Sequence, residues 1–170
     1  MHEDELLDLV NDKDEVIGSL LRSDYYKLKS DKLGYIRAVE MFIKNDLGLL
    51  WVPVRTAHKR VAPNGLDYSM GGHVSSGETY MQSALREIEE ELNLSLKPSD
   101  LELVNKFSPN DHPYFRNLYF YHSNITPKYN PIDFVGARWL SPTELMTELD
   151  SGRPAKSSLR ETTEYLINLS

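Results

Sequence analysis

Cysteine is absent from the 170-residue chain. This absence excludes disulfides, thiolate zinc sites and every mechanism that uses a cysteine nucleophile. No apolar run approaches the ~18 residues of a membrane-spanning helix, so we expect no such helix. Residues 1–5 are acidic where a secretory signal is basic, so we expect a cytoplasmic location.

Positive charge is also scarce, with 19 Lys and Arg against 26 Asp and Glu and a net charge of −7. Phosphate contacts dominate the affinity of proteins for nucleic acid, so bulk nucleic acid is a poor candidate partner. The net negative charge does not exclude a small phosphorylated substrate that is held by a few basic groups and a metal ion. At ~150 residues per domain, the length predicts a single domain. The oligomeric state stays open between a monomer and a homodimer.

Strand patterns are more numerous than helix patterns. Residues 6–18 are typical of a β-hairpin with a polar turn, and further strands are expected at 35–43, 49–54, 101–107, 118–122 and 134–140. Residues 24–34 and 55–67 are expected to be loops. Apolar residues at helical spacing predict an amphipathic helix over 78–92. Capping boxes that begin at Ser141 and Ser158 predict two late helices. The pattern favours an α+β fold with a mixed sheet between helices.

The predicted central helix carries four carboxylates in five residues: Glu87, Glu89, Glu90 and Glu91. With an advance of ~100° per residue, the first, third and fourth share one arc, which we expect to lie opposite the apolar stripe. Glu89 lies on the other flank. Like charges at these spacings destabilise a helix by about 0.2–0.5 kcal/mol per pair. A bound divalent cation would offset this repulsion, and Mg²⁺ suits carboxylate oxygens, water and phosphates.

The spacing of these residues is specific. Gly72 is followed after five residues by Glu78, and after seven more by the run from Arg86 to Leu94. This segment resembles the Nudix box, G-x5-E-x7-R-E-U-x-E-E-x-G-U, where U is aliphatic. Asn93 stands where the family has Gly. Asn tolerates a positive φ better than most residues, so the helix can still end there.

Weaker resemblance to the Nudix branch that includes isopentenyl diphosphate isomerase extends over most of the chain. It is carried by residues 11–18, 37–39, 63–67 and 139–145. The resemblance implies a Nudix-type α/β/α sandwich with a mixed β-sheet, an N-terminal β-hairpin and a C-terminal helix. We expect residues 1–170 to form a single Nudix domain, with the hairpin and a loop in 1–34 and the catalytic core in 35–170.

The resemblance also implies a reaction and a set of site residues. The reaction is metal-dependent hydrolysis of a diphosphate linked to another group, usually a nucleoside. The expected ligands for Mg²⁺ or Mn²⁺ are Glu87, Glu90 and Glu91, together with the Gly72 carbonyl. Glu78 is expected to support the site through Arg86. Glu87 is our candidate for the base that takes a proton from the attacking water.

Several residues outside the box are further candidates. Arg55 and Lys59, in a basic patch with His58 and Arg60, are expected to meet substrate phosphates, as is Arg37 on a strand, although solvated positions are the alternative. The candidates for an additional carboxylate ligand are Asp111, Asp133 and Glu102. The remaining candidates have packing or local hydrogen bonding as the alternative role: His73 as a metal ligand, and Tyr114, Phe115 and Tyr119 as base-stacking aromatics.

Two other functions compete with hydrolysis. An isopentenyl diphosphate isomerase requires, in its family, a Cys beside the box and a His-rich metal site. Gly71 stands at the Cys position, and Lys29 and Ile36 stand at two of the His positions, so this function is disfavoured. The other alternative is a catalytically silent Nudix-fold binding or regulatory module. Such modules lose box carboxylates, whereas this chain keeps all four box glutamates and Arg86.

Overall fold

The computed structural model describes residues 4–169. It contains eight strands: β1 (Leu6–Val10), β2 (Val16–Leu21), β3 (Ile36–Lys44), β4 (Leu50–Arg55), β5 (Met70–His73), β6 (Leu101–Phe107), β7 (Tyr114–His122) and β8 (Phe134–Leu140). The helices are α1 (Lys27–Ser30), α2 (Tyr80–Leu92), α3 (Pro142–Asp150) and α4 (Leu159–Leu169). Single 3₁₀ turns occupy Arg22–Asp24 and Pro98–Asp100.

Six strands form one mixed sheet, in the order β6-β7-β3-β4-β8, with β5 added beside β3. Strands β3 and β7 are parallel along their full length, and the other pairs are antiparallel. Strand β4 pairs with β3 at one position only, Lys44 with Leu50. The two strands therefore diverge. The short strand β5 pairs with residues 38–41 of β3, where β4 is no longer paired with β3.

The sheet is covered on both faces. Alternate residues of β3 point to opposite sides, as the two-residue period of a strand requires. Val39 and Met41 pack in a buried cluster with Ala84, Ile88 and Leu92 of α2. Phe42 belongs to a second cluster, which includes residues of α3 and α4. The structure is therefore the expected α/β/α sandwich.

The N-terminal hairpin of β1 and β2 is a separate two-stranded sheet. Its own small core contains Leu7, Leu20 and Leu28, with Ile36 from the start of β3. Backbone bridges join Leu7 to Ser75 and Val10 to Tyr35. The hairpin is thus attached beside the loop that precedes α2. The expected loop at 24–34 differs from the structure, because it contains the single helical turn α1.

The start of α4 also differs in detail from the predicted capping box. The Ser158 hydroxyl donates to Glu40 at 3.0 Å, and the Glu161 carboxylate accepts from Arg116 at 2.9 Å. These two side chains therefore bond to the buried interior of the sandwich. The predicted capping box of α3 is present, with reciprocal hydrogen bonds between Ser141 and Glu144. No helix among residues 4–169 is long and apolar enough to span a membrane.

Candidate active site

Helix α2 is fixed at both ends by its own sequence. The Thr79 hydroxyl accepts from the Gln82 amide at 3.1 Å, and the Gln82 side chain accepts from the Thr79 amide at 2.9 Å. This capping box starts the helix at Tyr80, two residues after the expected start. Asn93 follows the last turn with φ 54° and ψ 34°, the left-handed conformation expected where the family has glycine.

The helix does not present its carboxylates as the helical projection suggested. The expected arc lay opposite the core, yet the Glu87 side chain is only 11% exposed, and Glu91 is half-buried. Glu89 and Glu90 are exposed. The difference arises because α2 lies on the sheet with its flank covered by β5. A projection of the helix shows directions but not the neighbouring elements that cover each direction.

Glu87 lies directly against Gly72 in β5. A Cβ atom at residue 72 would lie 2.5 Å from the Glu87 carboxyl carbon, so any other residue there would displace this side chain from its position. Burial raises the pKa of Glu87 to about 7, and the neighbouring Glu90 carboxylate adds to the rise, while Arg86 opposes it. Two residues of the predicted metal site, Gly72 and Glu87, are therefore in contact.

Glu91 has acidic neighbours on its own helix and in two other parts of the chain. Burial raises its pKa well above the usual range, and the negative charges of Glu87, Asp67 and Asp133 raise it further. Lys156 is the cation that acts against this shift. We refer to Glu87, Glu91, Asp67 and Asp133 as the acidic cluster. Its Coulombic coupling shows that negative charge is concentrated between α2 and the loops that face it.

Arg86 connects the carboxylates of the box. Its guanidinium donates to Glu78 at 3.0 Å and to Glu87 at 3.0 Å, and lies 3.5 Å from Glu90. Glu78 also accepts from the Ser83 hydroxyl. In this arrangement, no three His, Cys, Asp or Glu side chains within residues 4–169 come together closely enough to hold a metal ion. A cation bound by Glu87 and Glu90 would therefore compete with Arg86 for their oxygens.

The basic patch of residues 55–60 borders the acidic cluster. The buried Arg55 is paired with Asp67, and its Nε donates to the Val61 carbonyl at 2.8 Å. The Lys59 ammonium lies 2.6 Å from Asp133. Asp133 is thus the one candidate additional carboxylate that contributes to the cluster. His58 is exposed.

The other two candidate carboxylates belong to contacts that do not involve the cluster. Glu102 is exposed and lies 2.5 Å from His122, and the backbone carbonyl of Asp111 accepts from Lys29 at 2.5 Å.

Arg37 makes a different set of contacts. Its Nε and Nη2 donate to the side chain and the carbonyl of Asp14 at 2.6 and 2.7 Å. The same carboxylate accepts from the Tyr80 hydroxyl at 2.8 Å and from Lys106 at 2.5 Å. These four residues join the hairpin turn to β3, β6 and the start of α2. The contacts favour attachment of the hairpin over substrate binding as the role of Arg37.

The histidine and the aromatic candidates are mostly enclosed. Burial, together with the charges of Arg22 and Lys156, lowers the pKa of His73 to about 3, so this imidazole is neutral at neutral pH. Its ring lies near that of Tyr25, with centroids 6.3 Å apart. Phe115 and Tyr119 are buried within the sandwich, as expected for packing residues.

A buried ion pair that no sequence motif indicated lies on the other face of the sheet. Arg116 donates to Glu40 at 2.7 Å and to the Thr162 hydroxyl at 2.9 Å. Tyr68 lies within 2.9 Å of Ser158, which itself donates to Glu40. We call these five residues the interior network. Its members are scattered from residue 40 to residue 162, so no local sequence pattern could reveal it.

Comparisons with known proteins agree with this fold. The model of the NUDIX domain family matches residues 34–162. An uncharacterized Nudix hydrolase of Nostoc sp. is 44% identical over 161 residues, covering 94% of each chain. A Nudix hydrolase of Deinococcus radiodurans is 41% identical over 160 residues, covering 93% of this chain and 91% of the relative. The chain belongs to the Nudix hydrolase family.

Solved structures show the same fold. The crystal structure of DR0079 from Deinococcus radiodurans matches with a TM-score of 0.84 and 38% identity, covering 95% of this chain and 99% of that chain. A MutT protein from Methanosarcina mazei shares the fold at 18% identity, with a TM-score of 0.62, covering 79% and 94%. The expected family and α/β/α sandwich are thus confirmed. Nudix hydrolases hydrolyse pyrophosphate bonds of small molecules and generally use divalent metal ions.

Proposed function

We propose that this Nudix hydrolase cleaves the diphosphate linkage of a small molecule in which a nucleoside diphosphate is joined to another moiety. The observation that carries the proposal is the acidic cluster beside the glycine of the box. Glu87 is buried against Gly72, and Glu91 is held among further carboxylates. A carboxylate that is buried without a contacting cation is costly, and hard carboxylate oxygens suit Mg²⁺ or Mn²⁺.

The residues that would hold the ion are Glu87, Glu90 and Glu91, with the carbonyl of Gly72. A bound divalent ion lowers the pKa of a coordinated water and offsets the charge of the diphosphate. Glu87 is the proposed base.

Arg86 and Glu78 are proposed as positioning residues. Arg86 donates to both glutamates, so the chain Glu78–Arg86–Glu87 restricts the orientation of the proposed base. Arg55 and Lys59 are proposed to bind the substrate phosphates. In the structure each is paired with a member of the acidic cluster, and a phosphate could replace the carboxylate as the partner of the cation.

We also propose that the N-terminal hairpin is part of the same domain, because Asp14 bonds to Arg37, Tyr80 and Lys106.

The test is a substrate screen. Purified protein would be incubated with Mg²⁺ and, separately, with Mn²⁺, and assayed against nucleoside diphosphate compounds, nucleoside triphosphates and non-nucleotide diphosphates. We expect hydrolysis of at least one nucleoside diphosphate compound, abolished by chelation of the metal. The outcome that contradicts the proposal is a folded protein that binds members of the panel but hydrolyses none, as expected of a binding module.

A further inference from the structure

Lys156 lies in the segment between α3 and α4, far in sequence from the Nudix box. Its position is fixed by the backbone on both sides. The Leu66 amide donates to the Pro154 carbonyl at 2.8 Å, and the Lys156 amide donates to the Leu66 carbonyl at 3.0 Å. Two residues further, Ser158 bonds to the buried Glu40. The base of the lysine side chain is therefore held by ordered structure.

The ammonium of Lys156 lies against β5. A Cβ atom at Gly71 would lie 3.3 Å from the Lys156 Nζ and 4.0 Å from an oxygen of Asp67. Glycine at residue 71 thus leaves room for the ammonium, in the same way that glycine at residue 72 leaves room for Glu87. Lys156 also acts electrostatically on Glu91, Glu40 and His73.

Lys156 differs from the other cations around the acidic cluster. Arg55 is paired with Asp67, Lys59 with Asp133, and Arg86 with Glu78 and Glu87. Within the described part of the chain, Lys156 makes no such ion pair, although Glu91 lies within Coulombic range. Glu91 likewise has no ion pair at contact distance among residues 4–169. Lys156 and Glu91 therefore interact electrostatically without an ion pair, and at Gly71 the ammonium lies near Asp67 of the acidic cluster.

We propose that Lys156 is a substrate-binding residue that holds the diphosphate group beside the acidic cluster. The inference rests on the proposed function and extends it to a residue outside the box. An ammonium without a carboxylate partner can donate to phosphate oxygens with no ion pair to break first. Its charge also reduces the repulsion between a diphosphate and Glu91.

The experiment measures binding and turnover separately. Methylenediphosphonate, a diphosphate analogue that cannot be hydrolysed, would be titrated into wild-type, Lys156→Gln and Lys156→Arg proteins by calorimetry at fixed Mg²⁺. Lys13→Gln removes an equal charge from an exposed side chain of the hairpin turn and is the matched control. Melting temperatures of all variants would verify folding.

We expect Lys156→Gln to raise the Kd for methylenediphosphonate by about tenfold or more, the scale of one charge-assisted hydrogen bond. Lys156→Arg should stay within a few-fold of wild type, and Lys13→Gln should not change the Kd. In steady-state kinetics with a substrate found by the screen, Lys156→Gln should raise KM more than it lowers kcat.

The inference is overturned if wild-type protein does not bind the analogue, or if Lys156→Gln binds it as wild type does. These outcomes are separable from failure of the proposed function. Hydrolysis by the wild type together with unaltered binding by Lys156→Gln removes only the role of Lys156. Binding that depends on Lys156, without hydrolysis of any compound, removes the hydrolytic function and keeps the anion site.

Discussion

Two groups of buried charges lie on opposite faces of the same sheet, and they are built differently. In the interior network, Glu40 and Arg116 are 5% and 1% exposed, of opposite charge, and surrounded by hydroxyl groups. In the acidic cluster, Glu87, Asp67 and Asp133 are in ion pairs, whereas Glu91 makes none within the described residues, and Glu87 and Glu91 both have raised pKa values. The charges of the interior network are fully paired, whereas the acidic cluster keeps a carboxylate, Glu91, that no cation contacts within the described residues.

The comparison separates structure from function on physical grounds. A buried ion pair with full hydrogen bonding holds elements together, and removal of one partner is strongly destabilising. Carboxylates that raise each other's pKa values cost folding energy in the absence of a ligand. The presence of such carboxylates beside Gly72 is therefore better explained by ligand binding than by the stability of the fold. The following variants test this difference from the largest expected effect to the smallest.

The largest effect on stability is expected for Arg116→Met. This change leaves the Glu40 carboxylate buried without its cation and should lower the free energy of unfolding by about 3–5 kcal/mol. Urea unfolding would measure it. The double variant with Glu40→Gln should recover much of the loss, because no buried charge is then left unpaired. An unchanged unfolding curve for Arg116→Met would show that the interior network does not stabilise the sandwich.

The opposite behaviour is expected in the acidic cluster. Glu87→Gln and Glu91→Gln should each lower diphosphate hydrolysis by about 100-fold or more, the scale for loss of a general base or metal ligand. Stability should be undiminished or higher, by about 0.2–0.5 kcal/mol for each relieved like-charge pair. Steady-state rates and thermal melts would check both expectations.

Glu89→Gln is the matched control for these variants. Glu89 lies on the same helix and is exposed, and its rate should stay within a few-fold of wild type. If Glu89→Gln lost as much activity as the other two variants, or if all three kept wild-type activity, the acidic cluster would not differ from an ordinary helix surface.

A smaller loss of stability than for Arg116→Met is expected at Asp14, whose charge is balanced by Arg37 and Lys106. These contacts hold the pKa of Asp14 below its ordinary value, against the opposing effect of burial. Stability from this carboxylate is therefore present above about pH 4 and is lost as the pH falls through its lowered pKa. Asp14→Asn should cost about 1–3 kcal/mol near neutral pH.

The pH dependence supplies the check. Urea unfolding of wild type and Asp14→Asn should differ near pH 7 and converge in strong acid, where wild-type Asp14 is protonated. Asp12→Asn, in the exposed part of the same turn, should differ little from wild type at either pH. A gap that persists in acid would show that the charge of Asp14 is not what attaches the hairpin.

Much of the fold could be predicted because its signals are local. The period of α2, the capping box of α3 and the left-handed Asn93 each depend on a few adjacent residues. The box spacing likewise predicted that Gly72 and Glu87 belong to one site. Contacts across long sequence separations could not be predicted in this way. The position of Lys156 depends on Leu66, and the burial of Glu87 depends on how β5 covers the flank of the helix.

Strand β5 has two surfaces that are separated by the thickness of a single backbone. Because successive residues of a strand point to opposite faces, Gly71 and Gly72 remove the side chains from both of its surfaces at one place. An ammonium therefore approaches one surface and a carboxylate approaches the other, at Gly71 and Gly72 respectively. Because residues 71 and 72 carry no side chains, both Lys156 and Glu87 can lie close to the backbone of β5.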